Sequence, residues 1–366
     1  MIRKKKILFV CPYPINKAPS QRLKFEQYYN IFKENGYEIK HISFINEDFW
    51  NIVYQKGKIL KKIFFTILGY IKRLFWVFRL KDYDIVYIHL WVTPFGPSLF
   101  ERIYRFLSKK IVFDIDDLVF LKHSSKANRY FMKFKGTSKV IYLLKKADYV
   151  ITCTEYLDSF AKKFNSQTKN IPSSVNTNVY TIKENYELKE PVHIGWSGSH
   201  STSKYLLILE PVFIKLLEMK LNFIVIVFGD KNFLFNNKNI PLNTIEWSEE
   251  KEVETIKSFD IGVYPLPYEE WVYGKSGLKA IQYMACGVPT IATAVGSNLK
   301  IIKHHFNGFL VENNSIDQWA STILFLINNK KIRENIGKNA RVFIEKNYSV
   351  NKIKQMYLEV LDKVCS

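Results

Sequence analysis

Only four of the 366 residues are cysteine, and Cys11, Cys153, Cys286 and Cys365 stand far apart. That excludes a disulfide framework and a Cys-x-x-Cys metal site, and it predicts a reducing, cytoplasmic setting. Long apolar runs are also missing. The longest helical candidate, 63–71, has nine residues before Lys72 interrupts it, well short of the roughly 20 that a membrane-spanning helix needs. The basic stretch 1–6 leads into an apolar run, 7–10, that ends at Cys11-Pro12. It is too short for the core of a secretory signal. Glycine (15) and proline (12) are sparse and show no repeat, so collagen-like and low-complexity chains are excluded. Acid is in deficit, with 34 Asp+Glu against 54 Lys+Arg and a formal net charge of +20.

What is present is a chain 47% hydrophobic and 16% aromatic, too apolar for disorder and long enough for two domains of roughly 150–200 residues. The charge is unevenly placed. Residues 1–185 carry 33 basic and 15 acidic residues, a net of +18, and residues 186–366 carry 21 and 19, a net of +2. The first half therefore sets up a positive field that suits a polyanion, either nucleic acid or an anionic membrane face.

Short runs rich in β-branched residues at 7–10, 39–44, 85–88, 111–113 and 149–152 read as buried parallel strands. Helical patterns at 21–35, 58–81, 98–107, 128–145 and 155–164 alternate with them. A polar stretch at 176–190, closed by Pro191, reads as a linker. Strands then resume at 192–196, 223–228, 244–247, 261–264, 290–292 and 308–311. Helices are expected at 204–219, 249–258, 277–284, 316–328, 330–346 and 350–364. This is the pattern of two doubly wound α/β domains, 1–182 and 191–346, with 347–366 as a terminal helix packing back on the first. Ligands are expected at the carboxyl ends of the strands.

Two glycine-bearing turns stand out in the second half. Gly195-Trp196-Ser197-Gly198-Ser199 lies between a strand and a helix, where small residues let backbone N–H groups approach an anion. A plain tight turn is the simpler account of it. The segment from Tyr273 to Thr290 leads with Gly274-Lys275-Ser276-Gly277 into a helix. The free N–H groups and positive dipole end of that helix suit a diphosphate. Lys275 adds a cation there, and Gln282 is a candidate for a sugar or ribose hydroxyl. A well-capped structural helix is the alternative.

These residues carry a resemblance. Met284-Ala285-Cys286-Gly287-Val288-Pro289, together with 259–267, 291–296 and 307–311, resembles the donor-site signature of family 4 glycosyltransferases of the GT-B fold. Ile171-Pro172-Ser173-Ser174-Val175-Asn176 is similar to the stretch that precedes the interdomain linker in that family. The family's Glu-x7-Glu pair falls on Gly274 and Gln282, and the Arg and Lys that commonly neutralise its diphosphate fall on Trp196 and Ser201. The chain thus resembles a branch with Gly-Trp-x-Gly-Ser and Gly-Lys-x-Gly signatures. The resemblance implies a retaining, metal-independent sugar transfer from a nucleotide diphosphate sugar. It implies donor contacts at Gly198, Ser199, His200, Lys204, Gly274, Lys275, Ser276, Gly277, Leu278 and Gln282.

In the first half, Asp114-Ile115-Asp116-Asp117 ends a strand. Carboxylates at 114 and 116 have the spacing of a divalent-cation chelate. In the family this strand ends in His-Asp, which implies that Asp116 and Asp117 face the acceptor and the transferred sugar. The loop 12–21, with Pro19 and Ser20, matches the family's cleft loop, and Arg22 is a candidate for a phosphate or an acidic acceptor, or else for a structural ion pair. His89 and His200 fall at strand ends; His304-His305 is assigned no role.

Segment 58–81 carries seven Lys or Arg and no acid. On a helical wheel Lys58, Lys61, Lys62, Lys72, Arg73 and Arg79 share a sector of about 120°, with Phe65 and Trp76 among them and the other apolar residues opposite. That suits an interfacial helix on anionic lipid touching through Lys61, Lys62, Lys72, Arg73, Phe75 and Trp76, each near-surface cation contributing about 1 kcal/mol. Core packing with a solvated basic face is the alternative. No nucleic-acid module is recognisable. The expectation is a glycosyltransferase peripheral on the inner membrane face, acting on a glycan or lipid-linked acceptor in cell-surface polysaccharide synthesis. The alternatives are a GT-B sugar-nucleotide 2-epimerase and a non-catalytic donor- or lipid-binding member of a polysaccharide assembly.

Overall fold

The computed structural model describes residues 3–53, 55, 57–116, 118 and 137–366. The chain divides into two compact units, Met1–Ser173 with Ile353–Ser366, and Ser174–Lys352.

The first unit holds strands β1 (Lys5–Cys11), β2 (Tyr37–Ser43), β3 (Ile85–His89), β4 (Ile111–Asp114), β5 (Tyr149–Thr152) and β6 (Thr168–Asn170). They form one sheet in the order β2-β1-β3-β4-β5-β6, every pair parallel. The central strands are buried on both faces, which is why they read as unbroken apolar runs rather than as alternation. Helices α1 (Pro19–Arg22), α2 (Tyr29–Glu34), α3 (Glu47–Val53), α4 (Ile59–Val77), α5 (Leu99–Leu107), α6 (Thr137–Lys146) and α7 (Glu155–Lys162) lie between them. Phe9 of β1 packs against Phe25 and Tyr87, ring centroids 5.5 and 4.7 Å away.

The helix expected at 21–35 is broken into α1, a 3-10 turn at Glu26–Tyr28 and α2. Gln21 is the cause: its amide donates to Tyr13 O and to Glu26 Oε1, tying the loop after β1 to the turn. Residues 353–366 belong to this unit. Tyr357 packs on Tyr28 at 4.8 Å between centroids, and Tyr37 Oη donates to Asp362 Oδ1 at 2.5 Å.

The second unit holds β7 (Val192–Ser197), β8 (Phe223–Phe228), β9 (Leu242–Ile245), β10 (Ile261–Tyr264), β11 (Thr290–Thr293) and β12 (Phe309–Val311), in the order β12-β11-β10-β7-β8-β9. Its helices are α8 (Glu210–Glu218), α9 (Glu249–Lys257), α10 (Leu278–Ala285), α11 (Asn298–Ile301), α12 (Ile316–Asn328) and α13 (Lys330–Asn347), and α14 (Val350–Cys365) follows. The helix expected at 204–219 begins instead as a 3-10 stretch, Ser203–Leu209, because Pro211 has no N–H to carry an α-helix back through it.

The boundary falls at Ser173/Ser174, earlier than the expected 182. Residues 176–190 are not a loose linker. Lys183 Nζ donates to Phe259 O at 2.7 Å, Arg341 Nη2 to Thr177 O at 2.7 Å, and Tyr180 Oη to Glu252 Oε2 at 2.7 Å. The return to the first unit likewise falls at Ile353, not at 347.

Candidate active site

In the second unit β7 has β10 on one side and β8 on the other, so the order of strands reverses between β7 and β10. Open α/β sheets bind ligands outside the carboxyl ends of the strands at this reversal. There Gly198 N donates to Phe228 O at 2.9 Å, seating the turn after β7 on the end of β8. A Cβ on Gly229 would lie 2.3 Å from Gly198 O, and one on Gly198 would lie 2.6 Å from both Lys279 and Trp196. Only glycine lets these backbones and side chains approach so closely. Tyr283 of α10 fastens the helix to the same strand end, its Oη accepting from Ser197 N (2.6 Å) and Ser197 Oγ (3.0 Å).

The start of α10 is held just as firmly. Gly277 caps it at φ +72°, and a Cβ there would strike Ile301 Cδ1 at 2.3 Å. Ser297 Oγ donates to Lys275 O at 2.6 Å. The two expected turns are joined by an aromatic pair: Tyr205 and Trp271 lie 5.0 Å apart, Lys204 covers the first ring at 5.1 Å and Lys275 the second at 5.6 Å. Gly198, Lys204, Lys275 and Gly277 belong to these contacts, and in the same stretch Gly274 is buried and Ser276 and Leu278 are half-buried. Ser199 and His200 stay exposed on the turn, whose Ser203 Oγ donates to His200 O and to Asp230 Oδ2.

Gln282 corrects the expectation of a ligand contact. It is buried, and its amide donates to Tyr180 Oη at 2.9 Å and Glu252 Oε1 at 3.1 Å. Trp247 Nε1 donates to the same Glu252 oxygen at 3.2 Å. The glutamine holds α10 to α9 and to the segment after Ser174. A residue that sequence reading missed lies nearer the reversal. Lys279, on the first turn of α10, spans the faces of Trp196 of β7 and Tyr264 of β10, its amine 5.1 and 5.2 Å from the two centroids. Burial, and then the neighbouring Lys275, pull this amine down to about 7.

The first unit has a polar cluster at the ends of β3 and β4. Asp114 is fully buried; Lys24 Nζ and Tyr87 Oη (2.8 Å) donate to it and His89 Nδ1 lies 3.2 Å away. Burial pushes the Asp114 carboxyl up, but Lys24 and His89 more than reverse this and hold it below the usual carboxylate range. With those partners Asp114 is not free to share a cation with Asp116, which corrects the chelate reading. Asp116 itself is partly exposed, with His89 Nε2 4.0 Å from its carboxylate. Asp117 lies outside the described residues. Arg22 is buried, whereas Pro19 is exposed and Ser20 half-buried. Among the described residues no group of three or more His, Cys, Asp or Glu is placed to hold a metal ion.

Helix α4 also differs from expectation in its orientation. Arg73 is fully buried, donating to Val92 O (2.8 Å), Ile42 O (3.2 Å) and Cys11 O (2.7 Å). Trp76 is buried as well, and Phe65 stacks on Phe49 at 5.6 Å. Gly69 lets the helix settle onto the Phe44 ring. Part of the basic sector is thus the packing face, and the apolar sector faces outward: Ile63, Phe64, Ile67, Ile71, Leu74, Phe75 and Phe78 are all exposed, Phe78 at 81%. Lys61 is exposed, and Lys62 and Lys72 are half-buried. No helix among the described residues is long and apolar enough to cross a membrane.

Residues 197–343 match the family described as "Glycosyl transferases group 1". An uncharacterized glycosyltransferase of Methanocaldococcus jannaschii is 24% identical over 80% of this chain and 78% of its own length. The solved structure of Anabaena HepE in complex with UDP and glucose superposes with a TM-score of 0.67 at 15% identity, covering 98% of this chain and 99% of that one. The fold is GT-B. The sequence matches support a glycosyltransferase. A shorter match, 26% identical over 29% of this chain and 27% of its partner, joins it to an Escherichia coli UDP-Gal:alpha-D-GlcNAc-diphosphoundecaprenol alpha-1,3-galactosyltransferase. The matched segment lies in the second unit, from the last residue of β7 into α13.

Proposed function

We propose that this GT-B protein is a retaining glycosyltransferase that moves a sugar from a nucleotide diphosphate sugar to a glycan or lipid-linked acceptor at an anionic membrane surface, in bacterial cell-surface polysaccharide synthesis. The observation that carries the donor half is the framework at the β7–β10 reversal. There a glycine turn, the start of α10 and Lys275 converge within the segment matched to the family. As the bond from the anomeric carbon to the donor phosphate breaks, negative charge gathers on the departing diphosphate. The helix N–H groups and cations fixed in advance stabilise that charge without reorganising. The reaction is proposed to need no metal. Asp116 remains the candidate on the acceptor side.

The outward apolar face of α4 supports the membrane half. Lys61, Lys62 and Lys72 border it, so apolar insertion and attraction to anionic headgroups act together. In HepE the bound ligands are UDP and glucose, and the acceptor named for the E. coli relative is a diphosphoundecaprenol; both fit this reading. The protein incubated with a panel of nucleotide sugars and bacterial membrane extract should release nucleoside diphosphate only when extract is present, and EDTA should leave the release intact. Release that EDTA abolishes overturns the metal-free mechanism. Conversion of the sugar nucleotide without extract points instead to a 2-epimerase.

A further inference from the structure

The edge of the second sheet carries a groove that the donor framework does not use. Strand β12 is the outermost strand, two places beyond β10, about 10 Å along the sheet at the usual strand spacing. The groove lies within the second unit and encloses about 590 Å³ between the turn 304–308, β12 and one face of α12. Sites for small organic ligands are of this size and set a few placed polar groups around an apolar floor. Here the floor is aromatic. Phe309 of β12 is buried, and the rings of His304, His305 and Phe325 stand 5.7, 5.0 and 6.0 Å from it, centroid to centroid. The turn that presents the two imidazoles is tied down on its own. His305 takes a left-handed φ of +64° and its N–H donates to Gly308 O at 3.0 Å, while Asn307 accepts from Lys303 N and donates to Ile301 O.

The polar groups of the rim both give and accept hydrogen bonds. Leu310 N donates to His304 Nδ1 at 3.0 Å, so the proton of the neutral imidazole sits on Nε2 as a donor. Burial, and then the neighbouring His305, pull that imidazole below its usual value, with Glu312 opposing them less strongly. Gln318 Oε1 accepts from Glu312 N at 3.1 Å, which leaves its amide NH2 in the donor role. Ser321 Oγ donates to Gln318 O at 3.2 Å and keeps its lone pairs as acceptors, and the Glu312 carboxylate is a further acceptor on the wall. A ligand matched to rings below and to mixed donors and acceptors above has an apolar face and many hydroxyls. A pyranose is built that way: its C–H face packs on an aromatic ring, and each hydroxyl both donates and accepts. A phosphate would be repelled by Glu312, and a plain hydrocarbon would strip water from the rim without replacing its hydrogen bonds.

We infer that this edge groove is a second carbohydrate site, which holds an uncharged stretch of glycan chain apart from the donor framework. The sugar chemistry rests on the groove alone; that the glycan is the chain under construction rests on the glycosyltransferase reading above. Because the rings are positioned by the turn and by α12, little ordering is required when a sugar arrives. A chain held there keeps its other sugars at a raised local concentration, which lengthens its residence without any new contact at the reacting atoms.

The test is saturation-transfer NMR of the full chain with maltotetraose, cellotetraose, chitotetraose and mannotetraose, each beside its own monosaccharide, with and without UDP. Phe325→Ala removes one ring of the floor and Gln318→Ala one donor of the rim; both side chains are exposed, so the core is left intact. The expected result is transfer to at least one tetrasaccharide that UDP does not displace, with affinity about threefold or more above that of the monosaccharide. At least one of the two variants, shown folded by circular dichroism, should bind that tetrasaccharide about threefold or more weakly than wild type. Transfer to none of the four tetrasaccharides overturns the inference. So does a signal that UDP abolishes, which puts the sugar in the donor site, and so do two folded variants that both bind within threefold of wild type. A monosaccharide that binds as tightly as its tetrasaccharide overturns the assignment of a chain. Nucleoside diphosphate release is a separate readout: if it fails while the UDP-insensitive binding holds, the glycosyltransferase reading falls and the groove stands.

Discussion

Lys24 and Lys279 are both removed from bulk water to a large degree, yet they are opposites. Lys24, 1% exposed, is locked to a carboxylate that is itself fully buried, and although burial pulls its amine down, Asp114, Cys153 and Asp116 raise it above the ordinary lysine value. Lys279 has rings and another lysine for company, and its amine falls to about 7. A charge answered by a carboxylate is part of the fold, whereas one held between rings beside a second cation gives up its proton more easily. In the first unit the compensation is internal, so the lysine reports on architecture. In the second the amine stands between Trp196 and Tyr264 at the strand-order reversal, the place outside which open α/β sheets bind ligands.

That contrast predicts separable outcomes. Lys24→Met strands the Asp114 carboxylate in the core and should cost about 3–5 kcal/mol of stability in urea unfolding. A loss below about 1 kcal/mol would mean that the pair does not hold β4 in place. Lys275→Ala should lower the rate of donor turnover by an order of magnitude or more, since charge-assisted contacts to a departing diphosphate contribute about 1.5–3 kcal/mol, while leaving the melting temperature near that of wild type. An unchanged rate removes Lys275 from the site. The pH profile comes next. Because burial and Lys275 hold the Lys279 amine at about 7 in the folded chain while an unfolded lysine titrates near about 10.4, the unfolded chain binds more protons above pH 7, so stability should rise between about pH 7 and 10 and Lys279→Met should flatten that rise in urea unfolding. A rise of equal size in wild type and variant breaks the contrast with Lys24. The smallest effect concerns α4. Ile67→Ser with Phe78→Ser should reduce flotation with anionic liposomes about two- to fivefold and leave stability intact, because both side chains face outward.

Much of this architecture was legible. Parallel strands buried on both faces declare themselves as short β-branched runs, and eleven of the twelve strands among the described residues overlap such runs. The exception, β6, is Thr168-Lys169-Asn170, a polar edge strand whose pairing with β5 leaves no hydrophobic trace. The glycine turns at 198 and 274–277 were also readable, since close backbone approach admits few other residues. Side-chain direction was not. Gln282 and Lys279 stand three residues apart on one short helix, and only packing shows that the first is bonded to Tyr180 and Glu252 while the second reaches the strand ends. For α4 the wheel separated the two faces correctly but could not say which one the sheet would take. A basic sector that buries an arginine against three carbonyls runs against the usual rule that the apolar face goes inward.

The three carbonyls that hold Arg73 come from the end of β1, from β2 and from the segment after β3. The helix is thereby bolted to three points at the carboxyl end of the sheet instead of hanging from it. A tethered amphipathic segment lets its domain tumble above a bilayer, whereas a bolted one transmits its own tilt to everything attached. If the outward face of α4 beds into lipid, the angle of the sheet to the membrane plane is set by the guanidinium. The height at which Asp116 stands above the headgroups then becomes a property of the fold and not of the lipid composition.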